Sequence, residues 1–125
     1  MRILVVEDDE DVASSLAMLL DLWGHNAKVV REAAAVINAV QSYRPQVVLM
    51  DIGLPRISGY ELAEQMREQY GVRDPVLVAM TGYGDDEHRR QSEASGFQHH
   101  LVKPVDPDVL QALLLRLKAE IERQR

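Results

Sequence analysis

Short apolar runs alternate with longer segments of helical periodicity along the whole chain. Residues 3–6 are apolar and largely β-branched, as a strand buried on both faces of a sheet must be. From about residue 11 to 23, Val12, Leu16, Leu19, Leu20 and Trp23 recur at helical spacing, and Gly24 supplies a stop. Residues 26–30 read as a weaker strand, with Lys28 in its middle pointing to a sheet edge. A helix with Ala33, Val36, Ile37 and Val40 on one face follows, ending before Arg44-Pro45. Residues 46–50 and 75–80 form the third and fourth predicted strands. Between them, residues 60–70 carry Leu62, Ala63 and Met66 as a buried stripe. Residues 85–95 are helical but almost wholly polar, and Gly96 closes them. A fifth strand covers 98–102. A last amphipathic helix from 107 to about 122 is built on Val109, Leu110, Leu113, Leu114, Leu117 and Ile121.

Five repetitions of strand then helix require crossover connections, and so a parallel sheet covered by helices on both faces. Ligands of such open α/β sheets bind beyond the carboxyl ends of the strands, where strand order reverses. The chain of 125 residues has no internal repeat, low-complexity tract or linker, and residues 1–125 read as one domain with no effector domain.

Composition narrows the function classes. A net charge of −6 argues against a nucleic-acid surface, which needs clustered Lys and Arg. The absence of cysteine removes disulfides, thiolate metal sites and cysteine nucleophiles, and fits the cytoplasm. No apolar run reaches the roughly 18 residues of a membrane span, and the N-terminal run is too short for a signal peptide.

The chemistry-bearing residues follow the strands. Five acids, Glu7, Asp8, Asp9, Glu10 and Asp11, come after the first. Acids stabilise a helix N-terminus by roughly 0.3–1 kcal/mol each, which accounts for Glu10 and Asp11. It does not account for Asp8 and Asp9 at the strand end, where crowded like charges call for a cation or a raised pKa. Asp51 ends the third apolar run and precedes a loop with Gly53, Pro55 and Gly59. If the first and third strands are neighbours, Asp8, Asp9 and Asp51 converge as the hard oxygen ligands that Mg²⁺ takes. Thr81 and Gly82 follow the fourth strand, a hydroxyl and a free amide suited to phosphate oxygens. Lys103-Pro104 follows the fifth. A lysine there wants a counter-charge, and a cis bond at Pro104 would aim it inward. Each feature alone has an ordinary structural reading as a cap, a turn or a surface lysine. Their order at four successive strand ends does not.

That ordered set resembles the receiver domains of bacterial two-component systems, over essentially the whole chain from Ile3-Leu4-Val5-Val6-Glu7-Asp8-Asp9 to Leu101-Val102-Lys103-Pro104 and the final helix. The resemblance implies a flavodoxin-like α/β domain with a five-stranded parallel sheet in the order 2-1-3-4-5. It implies Asp51 as the phosphoacceptor, and Mg²⁺ bound by Asp8, Asp9 (more directly), Asp51 and the Gly53 carbonyl. Thr81 would hydrogen-bond the phosphoryl group and Lys103 would pair with it. The donor would be a histidine kinase or a histidine phosphotransfer protein, and the fourth helix, fifth strand and fifth helix would meet a downstream protein.

Two positions depart from many relatives. His100 stands where Tyr or Phe usually acts as the switch with the threonine, and it adjoins His99. On a strand these two point to opposite faces, which argues against joint metal binding. The surrounding segment also resembles receivers of hybrid sensor kinases. Gly53 stands where a larger side chain is common, and an open position there admits water, which predicts a phosphoryl lifetime short of many hours. Three other readings compete. A small Mg²⁺-dependent phosphatase would use Asp9-x-Asp11, but Ala13 is not the Thr or Val expected there. A non-phosphorylated pseudo-receiver has no need of Asp8, Asp9, Asp51, Thr81 and Lys103 together. A flavin carrier would find its phosphate repelled by five acids.

Overall fold

The fully apolar runs become the central strands, because a parallel strand covered on both faces leaves no position for a polar side chain. In the computed structural model, residues 1–68, 75–82 and 86–124 are described, Asp86 by its backbone alone. The order is β1 (Arg2–Val6), α1 (Glu10–Leu22), β2 (Asn26–Val30), α2 (Val36–Tyr43), β3 (Val47–Asp51), α3 (Gly59–Glu68), β4 (Val76–Thr81), α4 (Asp86–Ala94), β5 (His99–Val102) and α5 (Pro107–Arg123). The five strands pair in parallel in the order β2-β1-β3-β4-β5. Alternate residues of each strand feed two cores. Leu4, Val6, Val48, Met50, Leu77 and Ala79 join the α2–α3 side. Ile3, Val5, Leu49, Val78, Met80 and Leu101 join the α1–α5 side. Among the described residues no helix is long and apolar enough to cross a membrane.

Several boundaries differ from the sequence reading, each for a local reason. Asp51 and Thr81 are the last residues of β3 and β4 rather than the first beyond them, since the ladder continues through Asp51–Met80 and Thr81–Val102. The segment before α2 is a single 3-10 turn, Ala33–Ala35, whereas the end of α2 at Tyr43 agrees with the expected stop before Arg44-Pro45, Arg44 taking a left-handed φ of 52°. Among its described side chains α4 contributes no apolar one to either core, and the one buried there is Ser92. The expected helical positions 69, 70 and 85, and Tyr83-Gly84, lie outside the described residues. Lys28 is exposed on the edge strand β2, its ammonium 5.6 Å from the Tyr43 ring centre.

The two adjacent histidines separate as their spacing requires. His99 pairs in register with Val78, whose side is packed by α5, and His100 with Ala79, whose side faces α4. Burial pushes the His99 imidazole below its ordinary value, with Arg116 adding to the shift against Glu120. Burial likewise lowers His100, against the pull of Glu93, and burial beside the Met1 ammonium lowers His25. Groups that resist protonation only when folded leave the unfolded chain holding more protons below the ordinary 6.5. This stability is fully present above 6.5 and is lost as pH falls below it. The melting temperature is therefore expected to fall between about pH 7.5 and 5.5, and less steeply in a His25→Gln/His99→Gln/His100→Gln variant. Equal slopes for the two proteins would refute this.

Candidate functional site

The carboxyl ends of β1, β3, β4 and β5 converge on one crevice, and the strand ladder decides which acids enter it. The Glu7 N–H donates to the Val30 carbonyl at 3.1 Å, so β1 pairing persists one residue beyond Val6. Glu7 is therefore the residue at the strand end. Its carboxylate, 1% exposed, accepts from Lys103 Nζ at 2.6 Å. Glu7, Asp8 and Asp51 bring one carboxylate oxygen each within 4.8 Å of one another.

Asp9, expected beside Asp8 as a metal ligand, makes a different contact. Asp9 is the N-cap of α1, its Oδ1 accepting from the N–H groups of Asp11 (3.0 Å) and Val12 (3.2 Å). That oxygen is engaged in satisfying the helix N-terminus, and Asp9 is not among the three carboxylates that lie together. Sequence reading missed Glu7 because five consecutive acids carry no internal mark of where the strand stops. Lys103 held the signal, since a lysine beyond an apolar strand demands a buried counter-charge.

Asp51 approaches both the acids after β1 and the lysine after β5. It is 7% exposed, its Oδ1 accepts the Gly53 N–H at 2.9 Å, and its Oδ2 lies 3.3 Å from Lys103 Nζ. The Lys103–Pro104 bond is cis, and the Lys103 N–H donates to the Thr81 carbonyl at 2.7 Å. Thr81 is buried at the end of β4, and Gly82 beside it is exposed with open space where a Cβ would stand. Gly53 is also exposed, and a Cβ there would meet only Asp51 Oδ1, at an ordinary 3.6 Å. His100 sits outside this crevice on the α4 side, and among the described residues its Nε2 has no hydrogen-bond partner.

Electrostatics set what the crevice lacks. Burial raises the Glu7 pKa, the Lys103 bond pulls it back, and the Asp51 carboxylate pushes it up again; the net shift is upward. Burial would lower Lys103, but its bond to Glu7 and the charges of Asp51 and Glu7 outweigh that and hold it high. Glu7 is raised by burial first and by Asp51 second, whereas Lys103 is held high because its ammonium faces two carboxylates. Three carboxylates against one ammonium leave two negative charges, which a divalent cation neutralises. Oxygens up to 4.8 Å apart suit a small hard cation with ligand distances of about 2.0–2.1 Å after slight closure.

The loop behind Asp51 is held by close backbone contact. Gly59 N–H donates to the Ile52 carbonyl at 3.0 Å, and a Cβ on Gly59 would lie 2.9 Å from Ile52 Cα and 3.1 Å from the Asp51 carbonyl oxygen. Backbone must move to admit it. Gly59→Ala is expected to cost about 1–3 kcal/mol in denaturant unfolding. An unchanged midpoint would show that the loop yields freely.

Comparison with known proteins follows the same geometry. The family profile described as "Response regulator receiver domain" matches residues 3–115. The chain is 31% identical over 125 residues to the response regulator MprA of Mycobacterium avium, covering all of this chain and 53% of that protein. It thus spans about half the length of that relative. A two-component response regulator from Clostridium difficile has the same fold, with a TM-score of 0.90 at 21% identity over 97% of this chain and 98% of that one. The BeF3-activated N-terminal receiver domain of Klebsiella pneumoniae RstA matches with a TM-score of 0.84 at 28% identity, over 94% of this chain and 98% of the other.

Proposed function

The chain belongs to the response regulator receiver domain family, and from that premise we propose that Asp51 is its phosphoacceptor, with Mg²⁺ held by Asp8 and Asp51 and backed by Glu7. Receivers are phosphoacceptor signalling modules of two-component systems rather than enzymes with turnover, and histidine kinases are their partners. The observation that carries the assignment is the position of Asp51: a nearly buried carboxylate 3.3 Å from the Lys103 ammonium and within 4.8 Å of the Glu7 and Asp8 carboxylates. The Gly53 carbonyl is read as a further oxygen ligand. When bound, Mg²⁺ supplies the charge that lets a carboxylate and a phosphoryl group approach.

The residues divide the work of transfer. An Asp51 oxygen attacks phosphorus in line, the new O–P bond forms as the N–P bond to the donor imidazole breaks, and that imidazole takes a proton. Lys103 offsets charge on the phosphoryl oxygens, and the Thr81 hydroxyl and Gly82 N–H donate to them. Transfer is then positioning and charge neutralisation, and the acyl phosphate is stored as a signal. Loss of the Lys103–Asp51 pair frees Lys103 to follow the new charge, which biases the β4–α4 and β5 ends toward a second state. His100 takes the switch position facing α4, and α4, β5 and α5, with exposed Val102 and Val109, form the downstream surface. The cytoplasm is the compartment this reading requires.

RstA and DrrB have each been solved as BeF3-activated receivers, and the same phosphoryl mimic tests this chain. Fluorine NMR is expected to show a bound beryllofluoride resonance that requires Mg²⁺ and is lost in Asp51→Asn. A resonance surviving in that variant would refute the assignment. The exposed Gly53 further predicts hydrolysis of the acyl phosphate well within hours, and persistence for many hours would contradict an open approach for water.

A further inference from the structure

We propose that Arg31 is a positioning residue for Asp8, an inference that rests on the reading of Asp8 as a Mg²⁺ ligand. Arg31 is the first residue beyond β2, directly after the carbonyl that receives the Glu7 N–H. Its Nη2 donates to the Asp8 carbonyl at 3.1 Å, and its Nη1 lies 3.9 Å from the Glu10 carboxylate. The guanidinium therefore spans the acid loop from the metal-facing residue to the first turn of α1.

The loop needs such a hold at that point. Glu7 is fixed by β2 and Lys103, and Asp9 by the α1 N-terminus, but among the described residues no side chain holds the Asp8 carboxylate itself. On the β2 side of Asp8 lies a cavity of about 570 Å³, lined also by Val29, Val30, Glu32 and Ala35, so packing does not restrain it there. The main chain of Asp8 takes its position from the Arg31 bond, and the direction of its carboxylate follows. The Glu10 contact is long and exposed on both sides, and contributes little.

Electrostatics alone demands the opposite behaviour, which makes the inference decidable. A guanidinium near a divalent-cation site repels the cation, so its removal should tighten binding if charge were its whole effect. Positioning predicts the reverse. Calorimetric titration with Mg²⁺ alone is expected to show Arg31→Met binding about three- to tenfold more weakly than the parent, less than the roughly 10–100-fold lost with an outer partner of the ligating group itself, because Arg31 holds the main chain of Asp8 rather than its carboxylate. Arg31→Lys, a single flexible donor, should fall between the two. The melting temperature without Mg²⁺ should stay at the parent value in both. Tighter binding by Arg31→Met, or a loss of affinity matched by a loss of metal-free stability, would overturn the role. Absence of Mg²⁺ binding by the parent protein would instead remove the site reading on which it rests.

Discussion

Asp51→Asn is expected to abolish phosphoryl acceptance and, at the same time, to make the metal-free protein more stable. The first effect follows because a carboxamide oxygen cannot form the acyl phosphate. The second follows from the crowding around it. Asp51 and Glu7 are both nearly buried, and Lys103 is nearer to Glu7, at 2.6 Å, than to Asp51, at 3.3 Å. Removal of the second carboxylate leaves the tighter pair in place and ends a desolvation cost and a repulsion. The gain is expected to be about 1–2 kcal/mol in urea unfolding without Mg²⁺. Added Mg²⁺ should stabilise the parent by mass action and the variant much less. A variant less stable than the parent without metal would mean that Asp51 is held by favourable pairing rather than strained by its neighbours.

Lys103→Met is expected to be the most damaging substitution at the site. It leaves Glu7 and Asp51 without a counter-charge, and an unpaired buried carboxylate costs far more than the pair contributes. The Lys103 side chain is 29% exposed, so solvent screens part of the effect, and a loss of about 1–3 kcal/mol is expected near neutral pH. The pH dependence has a definite direction. Without the ammonium, Glu7 is driven further above its ordinary value of 4.5. Neutral Glu7 is then tolerated below that value, and stability is lost as pH rises through the raised pKa. Mg²⁺ should restore much of the loss. Phosphorylation from a small acyl phosphate should slow on the order of tenfold or more, since one donor to the phosphoryl oxygens is gone. Unchanged stability at neutral pH would show that the two carboxylates are hydrated rather than paired.

The fold was legible because its evidence is periodic. Val47, Val48, Leu49 and Met50 in succession have no explanation except burial on both sheet faces, and all are buried. The helical stripe of α5 and the stop at Gly96, which adopts a φ of 107°, belong to the same kind of evidence. His99 and His100 separated to opposite faces as a period of two demands. The acid loop was legible only in outline. Which acid ends β1 depends on the Glu7 N–H reaching the Val30 carbonyl, a contact between residues far apart in sequence. Composition cannot mark it, so the sequence alone does not tell whether Glu7-Asp8 or Asp8-Asp9 stands at the strand end. Arg31 was invisible for the same reason, since its meaning lies in a bond across the strand ends to Asp8. Local pattern specifies elements, whereas the site is made by register between elements.

The most direct test of the central claim is the mass of the intact protein after incubation with acetyl phosphate, with and without Mg²⁺, followed by mapping of the modified residue. The account predicts a single phosphoryl adduct that requires Mg²⁺ and maps to Asp51. An adduct on another residue, or one that forms equally without Mg²⁺, would contradict it.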